Sequence, residues 1–208
     1  MAKLLFYDPT HTYTLDGEVI PSVSELTRFI SREIYSDIGQ FTLDRAASRG
    51  TGIHKATEIL DKYGTVEISD DDALPYLQAY LRFRKEHEVD WEKIEWAVSH
   101  PSGEYAGTID RYGTLDGKRT LADIKSVSAM DPGHRKLYEA SLNLYRMAIE
   151  EGHSVERLVL IWLKKDGTYK LVDLPIDDTL ATACLALHRA LKKKKRQKKS
   201  KEEPADNG

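Results

Sequence analysis

The chain of 208 residues contains one cysteine, Cys184. A lone thiol closes no internal disulfide. It also excludes a cysteine-based zinc site and an iron–sulfur cluster held by this chain alone. No stretch approaches the roughly 20 consecutive apolar residues that a membrane helix needs. The first nine residues, Met1 to Pro9, hold no apolar run of signal-peptide length. The expectation is a soluble, cytoplasmic protein with no membrane partner. What is present suits a folded domain. Hydrophobic residues make up 40% and charged residues 31%, too much apolar material for a disordered chain. The length is that of one domain, or one domain with a small appendage.

The net charge of −3 hides an asymmetry. Residues 192–208 carry eight basic and three acidic side chains, a net +5, which leaves −8 on residues 1–191. An acidic body with a basic tail fits a body that holds cations and a tail that attracts a polyanion. A solvated, disordered tail with no partner fits equally well. The division expected is therefore a domain over 1–191 and a disordered basic tail over 192–208.

Periodicity gives the order of elements. His11 to Leu15, the turn Asp16-Gly17 and Glu18 to Ile20 form a hairpin pattern within an appendage over residues 3–20. Ser22 with Glu25 three residues on is a capping box, so a helix starts there. Helical spacing runs over about Gln40–Lys62 and about Asp72–Glu88, the latter broken or entered at Pro75. The period then falls to two over Lys93–Ser99. Tyr105–Leu115 and Lys118–Val127 read as strands around Asp116-Gly117. A helix over about Pro132–Glu151 follows, then strands over Val155–Leu163 and Tyr169–Val172, then a helix from about Asp177 into the lysine tract. The pattern predicts an α/β or α+β domain whose mixed sheet is flanked by helices.

The middle hairpin concentrates charge. If Asp116-Gly117 is a two-residue turn, Leu115 pairs with Lys118, and counting outwards places Asp110 directly opposite Asp123. Their Cβ atoms would be about 5 Å apart on one face. Opposed like charges destabilise a sheet, so a shared proton, a nearby base or a divalent metal must hold them. Lys125 points to the same face, with Thr108 opposite it. An Asp-x-Lys in a strand is commonly a self-neutralising pair, but the second aspartate in register shifts the balance towards a metal site. His54, with Glu58 one turn on, and Glu95 are two further groups able to converge there. Such a histidine is more often a satisfied boundary residue, and such a glutamate an ordinary solvent-facing one.

These residues resemble a family. Asp110, twelve intervening residues and then Asp123-Ile124-Lys125 are similar to the core of the PD-(D/E)xK nuclease superfamily, with Ile109 in place of the proline that names the motif. Three more segments resemble its RecB-like exonuclease branch, which includes the mitochondrial genome maintenance exonuclease and its phage relatives. They are Pro21-Ser22-Val23-Ser24, Arg49-Gly50-Thr51-Gly52-Ile53-His54, and the run from Glu95 through Val98 and His100 to Tyr105, Gly107 and Asp110. The matches keep their order from about residue 20 to residue 150. One departure is Ser141, which stands where the family often carries Gln, four residues before Tyr145.

The resemblance implies a restriction-endonuclease-like core and a DNA exonuclease dependent on Mg²⁺ or Mn²⁺, without zinc or an iron–sulfur cluster. Asp110, Asp123, the Ile124 carbonyl and His54 would be metal ligands. Lys125 would orient or deprotonate the attacking water, and Glu95 would hold a second metal or a water. Arg49 would clamp a phosphate, and Tyr138, Ser141 and Tyr145 would face DNA. Lys192, Lys193, Lys194, Lys195 and Arg196 would add salt-dependent phosphate contacts. The setting implied is recombination, replication or repair in a phage or mobile element, with a recombinase or single-strand-binding protein as the protein partner to seek. A structure-specific endonuclease, or a catalytically degenerate nucleic-acid-binding module, remains an alternative on the same fold.

Overall fold

The computed structural model describes residues 3–7, 10–66, 71–149 and 154–202, with side chains through Lys192. A three-stranded antiparallel sheet opens the chain: β1 (Leu4–Tyr7), β2 (Thr12–Leu15) and β3 (Glu18–Ile20), in that order. Asp16 and Gly17 both have positive φ, 50° and 86°, as the expected turn requires. The strand β1 makes the hairpin expected over residues 3–20 a sheet of three.

The capping box forms: Ser22 Oγ accepts from the Glu25 N–H, and the Glu25 carboxylate accepts from the Ser22 N–H. The single helix expected here is two, α1 (Val23–Leu26) and α2 (Arg28–Tyr35). Thr27 separates them at φ −86°, ψ 0°, with its hydroxyl bonded back to the Val23 carbonyl at 3.1 Å. Such back-bonding competes with a continuing helix. Then come α3 (Gln40–Tyr63) and α4 (Leu74–Glu86), the latter with Pro75 in its first turn, where a missing N–H costs nothing.

The main sheet has five strands: β4 (Val89–Ser99), β5 (Ala106–Leu115), β6 (Lys118–Lys125), β7 (Arg157–Leu163) and β8 (Tyr169–Leu174), in that order. All neighbours are antiparallel except β6 and β7, which are parallel and joined through α5 (Pro132–Ala148). A final helix, α6, spans Thr179–Glu202. Alternate residues of β7 feed two cores. Leu158 and Leu160 pack with Leu137 and Leu142 of α5 and Leu185 of α6, whereas Val159 and Ile161 pack with Ile53 of α3 and Tyr80 and Phe83 of α4. The fold is α+β, a mixed sheet with helices on both faces, as the element order predicted.

The β5–β6 hairpin keeps the expected register from Leu115–Lys118 to Arg111–Ala122, and there the ladder ends. Asp110 and Asp123 would be the next pair, but their backbones do not pair. The Asp110 carboxylate instead accepts the Ile124 N–H at 2.7 Å. The β4 side behaves likewise: Ile94–Arg111 and Trp96–Ile109 pair while Glu95 and Asp110 are skipped, and Glu95 adopts a φ of 50°. Beyond this point β5 takes a new neighbour. Ala106 donates to the Pro21 carbonyl at 3.0 Å and bridges to Ser22, which seats the Pro-Ser-Val-Ser entry against the sheet.

Candidate metal centre

Where the ladder parts, a cavity of about 620 Å³ opens, and Thr108, Asp110, Asp123 and Lys125 all line it. Ala46, Ala47 and Gly50 form the α3 wall. Their small side chains keep that wall low and leave His54, one turn on, to reach in. The His54 Nδ1 lies 3.4 Å from Asp110 Oδ2. One ligand atom each from His54, Glu95 and Asp110 all fall within 4.8 Å of one another.

Asp123 stands beside this trio rather than in it. Its Oδ2 lies 2.7 Å from Lys125 Nζ but is buried and makes no hydrogen bond of good geometry. Burial pushes the Asp123 carboxyl up to about 6; Asp110 adds to that and Lys125 opposes it. Burial likewise raises Glu95 to about 7, again with help from Asp110 and against Arg111. For Lys125, burial would lower the pKa, but Asp123 and Asp110 outweigh it and hold the amine above the usual lysine value. The lysine is therefore cationic at neutral pH.

Sequence reasoning missed what holds Glu95 from behind. Arg111 is fully buried, the largest side chain so enclosed. Its guanidinium donates to Glu95 Oε1 at 3.1 Å, Asp61 Oδ2 at 2.7 Å, Thr57 Oγ1 at 3.2 Å and the Asp110 carbonyl at 2.7 Å. Asp61 also takes the Tyr80 hydroxyl at 2.5 Å and faces Arg84 at 3.2 Å. The available signal was an arginine inside an otherwise apolar strand, which needs a partner once buried.

The remaining candidates divide by place. Ile124 lines the cavity, and its N–H is committed to Asp110. Tyr138 lies under Lys125, with Nζ 5.2 Å from the ring centre. Together with Ser141 and Tyr145 it lines a smaller cavity of about 180 Å³ that also reaches Asp123 and Lys125. Ser141 itself bonds back to the Leu137 carbonyl at 2.9 Å. Tyr145 borders both cavities and packs on Gly107, where an added Cβ would lie 2.4 Å from its ring. That close approach accounts for glycine in the Tyr105–Asp110 run. Arg49 is not among the residues lining the large cavity; its guanidinium lies over Tyr76 of α4, 5.6 Å from the ring centre, and its Nε makes no hydrogen bond. Lys192 is exposed on α6. The side chains of Lys193, Lys194, Lys195 and Arg196, and residues 203–208 entirely, lie outside the described residues. No described helix is long and apolar enough to cross a membrane.

No protein-family model matches the sequence, and no curated protein matches it. Among solved structures, the chain is similar to an alkaline exonuclease (LHK-Exo) from Laribacter hongkongensis. The identity is 17% and the TM-score 0.39, over 83% of this chain and 92% of that one. It is also similar to SSO0001, at 16% identity and a TM-score of 0.35, over 81% of this chain and 72% of that one.

Proposed function

We propose that the chain is a Mg²⁺- or Mn²⁺-dependent nuclease of the PD-(D/E)xK type that degrades DNA from an end. The observation that carries this reading is the meeting of His54, Glu95 and Asp110 within 4.8 Å, beside a buried Asp123 whose Oδ2 lies 2.7 Å from Lys125 Nζ. A donor set of carboxylate oxygens with one imidazole fits those ions. His54, Glu95, Asp110 and Asp123 would hold the metal. When bound, the ion supplies Lewis-acid charge to a phosphate and makes water easier to deprotonate.

The chain's own residues do the rest. Arg111 keeps Glu95 turned to Asp110, and the Ile124 N–H fixes one Asp110 oxygen. Lys125 holds a positive charge at the cavity wall, where it orients water and offsets charge gathering on the phosphate. Hydrolysis joins a water oxygen to phosphorus and releases the strand at the broken P–O bond. The basic tract at 192–201 would supplement this with phosphate contacts; deleting 192–208 should weaken DNA binding and flatten its dependence on salt.

The test is a time course on end-labelled linear DNA and covalently closed circular DNA with Mg²⁺, Mn²⁺ or EDTA, comparing wild type with Lys125→Ala. Loss of linear DNA that needs metal and Lys125, with circles intact, is the expected result. Cut circles would replace the exonuclease by an endonuclease. Activity that survives both EDTA and the substitution would end the mechanism.

A further inference from the structure

Four described non-glycine residues have positive φ: His11, Asp16, Glu95 and Asp116. Asp16 and Asp116 open Asp-Gly turns, where that conformation belongs. Glu95 lies inside β4, and His11 in the turn that joins β1 to β2. His11 (φ 48°) and Glu95 (φ 50°) sit far apart in sequence, yet both line the cavity of the candidate metal centre. Strain of this kind, held by surrounding structure, points to use. Glu95 already has one. His11 belongs to an aromatic group on the small N-terminal sheet. Phe6 stacks on Tyr13 with centroids 4.6 Å apart and planes 26° from parallel, and His11 stands edge-on to both rings. Tyr13 is buried and shares a 2.8 Å hydrogen bond with Thr108, two residues from Asp110, which fixes the group to the catalytic strand. Phe6 remains 36% exposed and lines the same cavity.

We propose that this sheet is a base platform: Phe6, backed by Tyr13 and flanked by His11, stacks on an unpaired nucleobase of the strand whose phosphate lies at the metal centre. The inference rests on the nuclease reading and names the part of the substrate that reading leaves open. An exposed flat π-surface facing a cavity that also holds three carboxylates and an amine suits an occupant that is flat and apolar on its faces and charged elsewhere. A nucleotide is such an occupant, its base tethered to the phosphate that Lys125 faces. A cavity of about 620 Å³ is of the size that takes a small-molecule or nucleotide unit. A base must leave its own stack to reach the platform, so the end of a strand, or a single strand, is the substrate that meets it at least cost.

The test uses single-stranded oligonucleotides carrying 2-aminopurine at either terminus or at an internal position, with the full chain in EDTA so that nothing is cut. Stacking quenches this base. The expected result is quenching of one terminal probe on binding to wild type. Phe6→Leu, which keeps an apolar side chain in the hairpin, should lose that quenching and bind about tenfold more weakly. Phe6→Ala should behave alike if its melting curve shows a folded chain. Equal quenching in wild type and Phe6→Leu overturns the proposal, as does saturable binding with no quenching of any probe. Failure of wild type to bind DNA in EDTA and to cut it with Mg²⁺ or Mn²⁺ would remove the nuclease reading, and the platform with it; cutting without quenching overturns the platform alone.

Discussion

The two ends of the main sheet carry similar side chains in opposite states. At the closed end, around the Asp116-Gly117 turn, each acid has a base or an N–H. Asp116 faces His87 at 2.7 Å and Asp173 faces Arg157 at 2.5 Å, while Glu156 accepts the Arg119 N–H at 2.9 Å. A cavity of about 600 Å³ lies there too, lined by Asp116, Glu156, Arg157 and Asp173 among others. Burial alone would raise the Asp116 carboxyl, but the bonds from His87 and Glu88 outweigh it and hold the pKa below the ordinary value. At the open end the ladder stops. Glu95 and Asp123 are raised to about 7 and about 6, and one oxygen has no hydrogen bond. Cavity size does not separate the two ends. What separates them is crowding: at the open end buried carboxylates raise one another, whereas each acid at the closed end sits at the surface with a partner of its own.

The sharpest way to break this contrast is to remove the open end's charges one at a time. Asp123→Ala should lower metal-dependent cleavage of linear DNA by about 10³-fold, the rate equivalent of several kcal/mol of lost ion-centred stabilisation. Lys125→Ala should cost about 10²–10³-fold, as removal of one preorganised charge does elsewhere. Asp173→Asn, at the closed end, should leave the initial rate unchanged. A closed-end substitution that matched the loss from Asp123→Ala would put the site in the wrong place.

Arg111 joins the site to the core, so its loss should be read in stability first. Arg111→Met leaves Asp61 facing only Arg84 and Tyr80, and frees Glu95 from its anchor. Breaking one side of a buried pair costs about 3–5 kcal/mol, to be measured by urea denaturation. A second readout separates positioning from bulk: Mn²⁺ affinity by calorimetry should fall for Arg111→Lys, which keeps the charge but not the planar fork, even where the chain stays folded.

Much of this was legible in the sequence, because local chemistry fixed it. The Asp-Gly turns, the Ser22–Glu25 box and the helix over 40–63 all rest on contacts within a few residues. The hairpin register followed from its turn as far as Arg111–Ala122, one pair short of the expected Asp110–Asp123 pairing, though both aspartates line the cavity. What it did not show was the ladder's end at Arg111–Ala122, because β5 leaves β6 for Pro21 and Ser22, 85 or so residues away in the chain. The left-handed turn at Glu95 escaped for the same reason, since no glycine marks it. Asp61 and Tyr80 gave no signal: a helical aspartate and a helical tyrosine look ordinary until a distant arginine is buried between them. Arg49 lies outside the cavity because its helix turns that position towards Tyr76, a contact between two helices that no local pattern predicts.

Linkage to pH gives a smaller test at the open end. Glu95 and Asp123 have folded-state pKa values above their ordinary ones, so the folded chain binds protons more tightly than the unfolded chain. Their contribution to stability is full below the ordinary carboxylate range and is lost as pH rises through about 6 and about 7. In EDTA the melting temperature should therefore fall between pH 5 and pH 8. Added Mn²⁺ should restore it most at pH 8, where the carboxylates are ionised and bind best. Glu95→Gln should flatten the EDTA profile. An unchanged slope would mean that Glu95 ionises as freely in the folded chain as in the unfolded one.

The smallest effect belongs to the closed end and has the opposite sign. Asp116 sits at φ 51°, accepts the Glu88 N–H at 3.1 Å and faces His87 across 2.7 Å. Asn tolerates that backbone and keeps an acceptor, so Asp116→Asn removes charge and little else. The side chain is exposed, and solvent screening holds the cost below about 1 kcal/mol. Because the folded pKa is depressed, that stability is present above the ordinary aspartate value and disappears as pH falls through the folded one. The difference between wild type and Asp116→Asn in urea should shrink on acidification and in high salt, while the open-end variants diverge from wild type as pH rises. One carboxylate stabilises the fold by ionising; the others stabilise it by staying protonated, and on the proposed function a cation would take the proton's place.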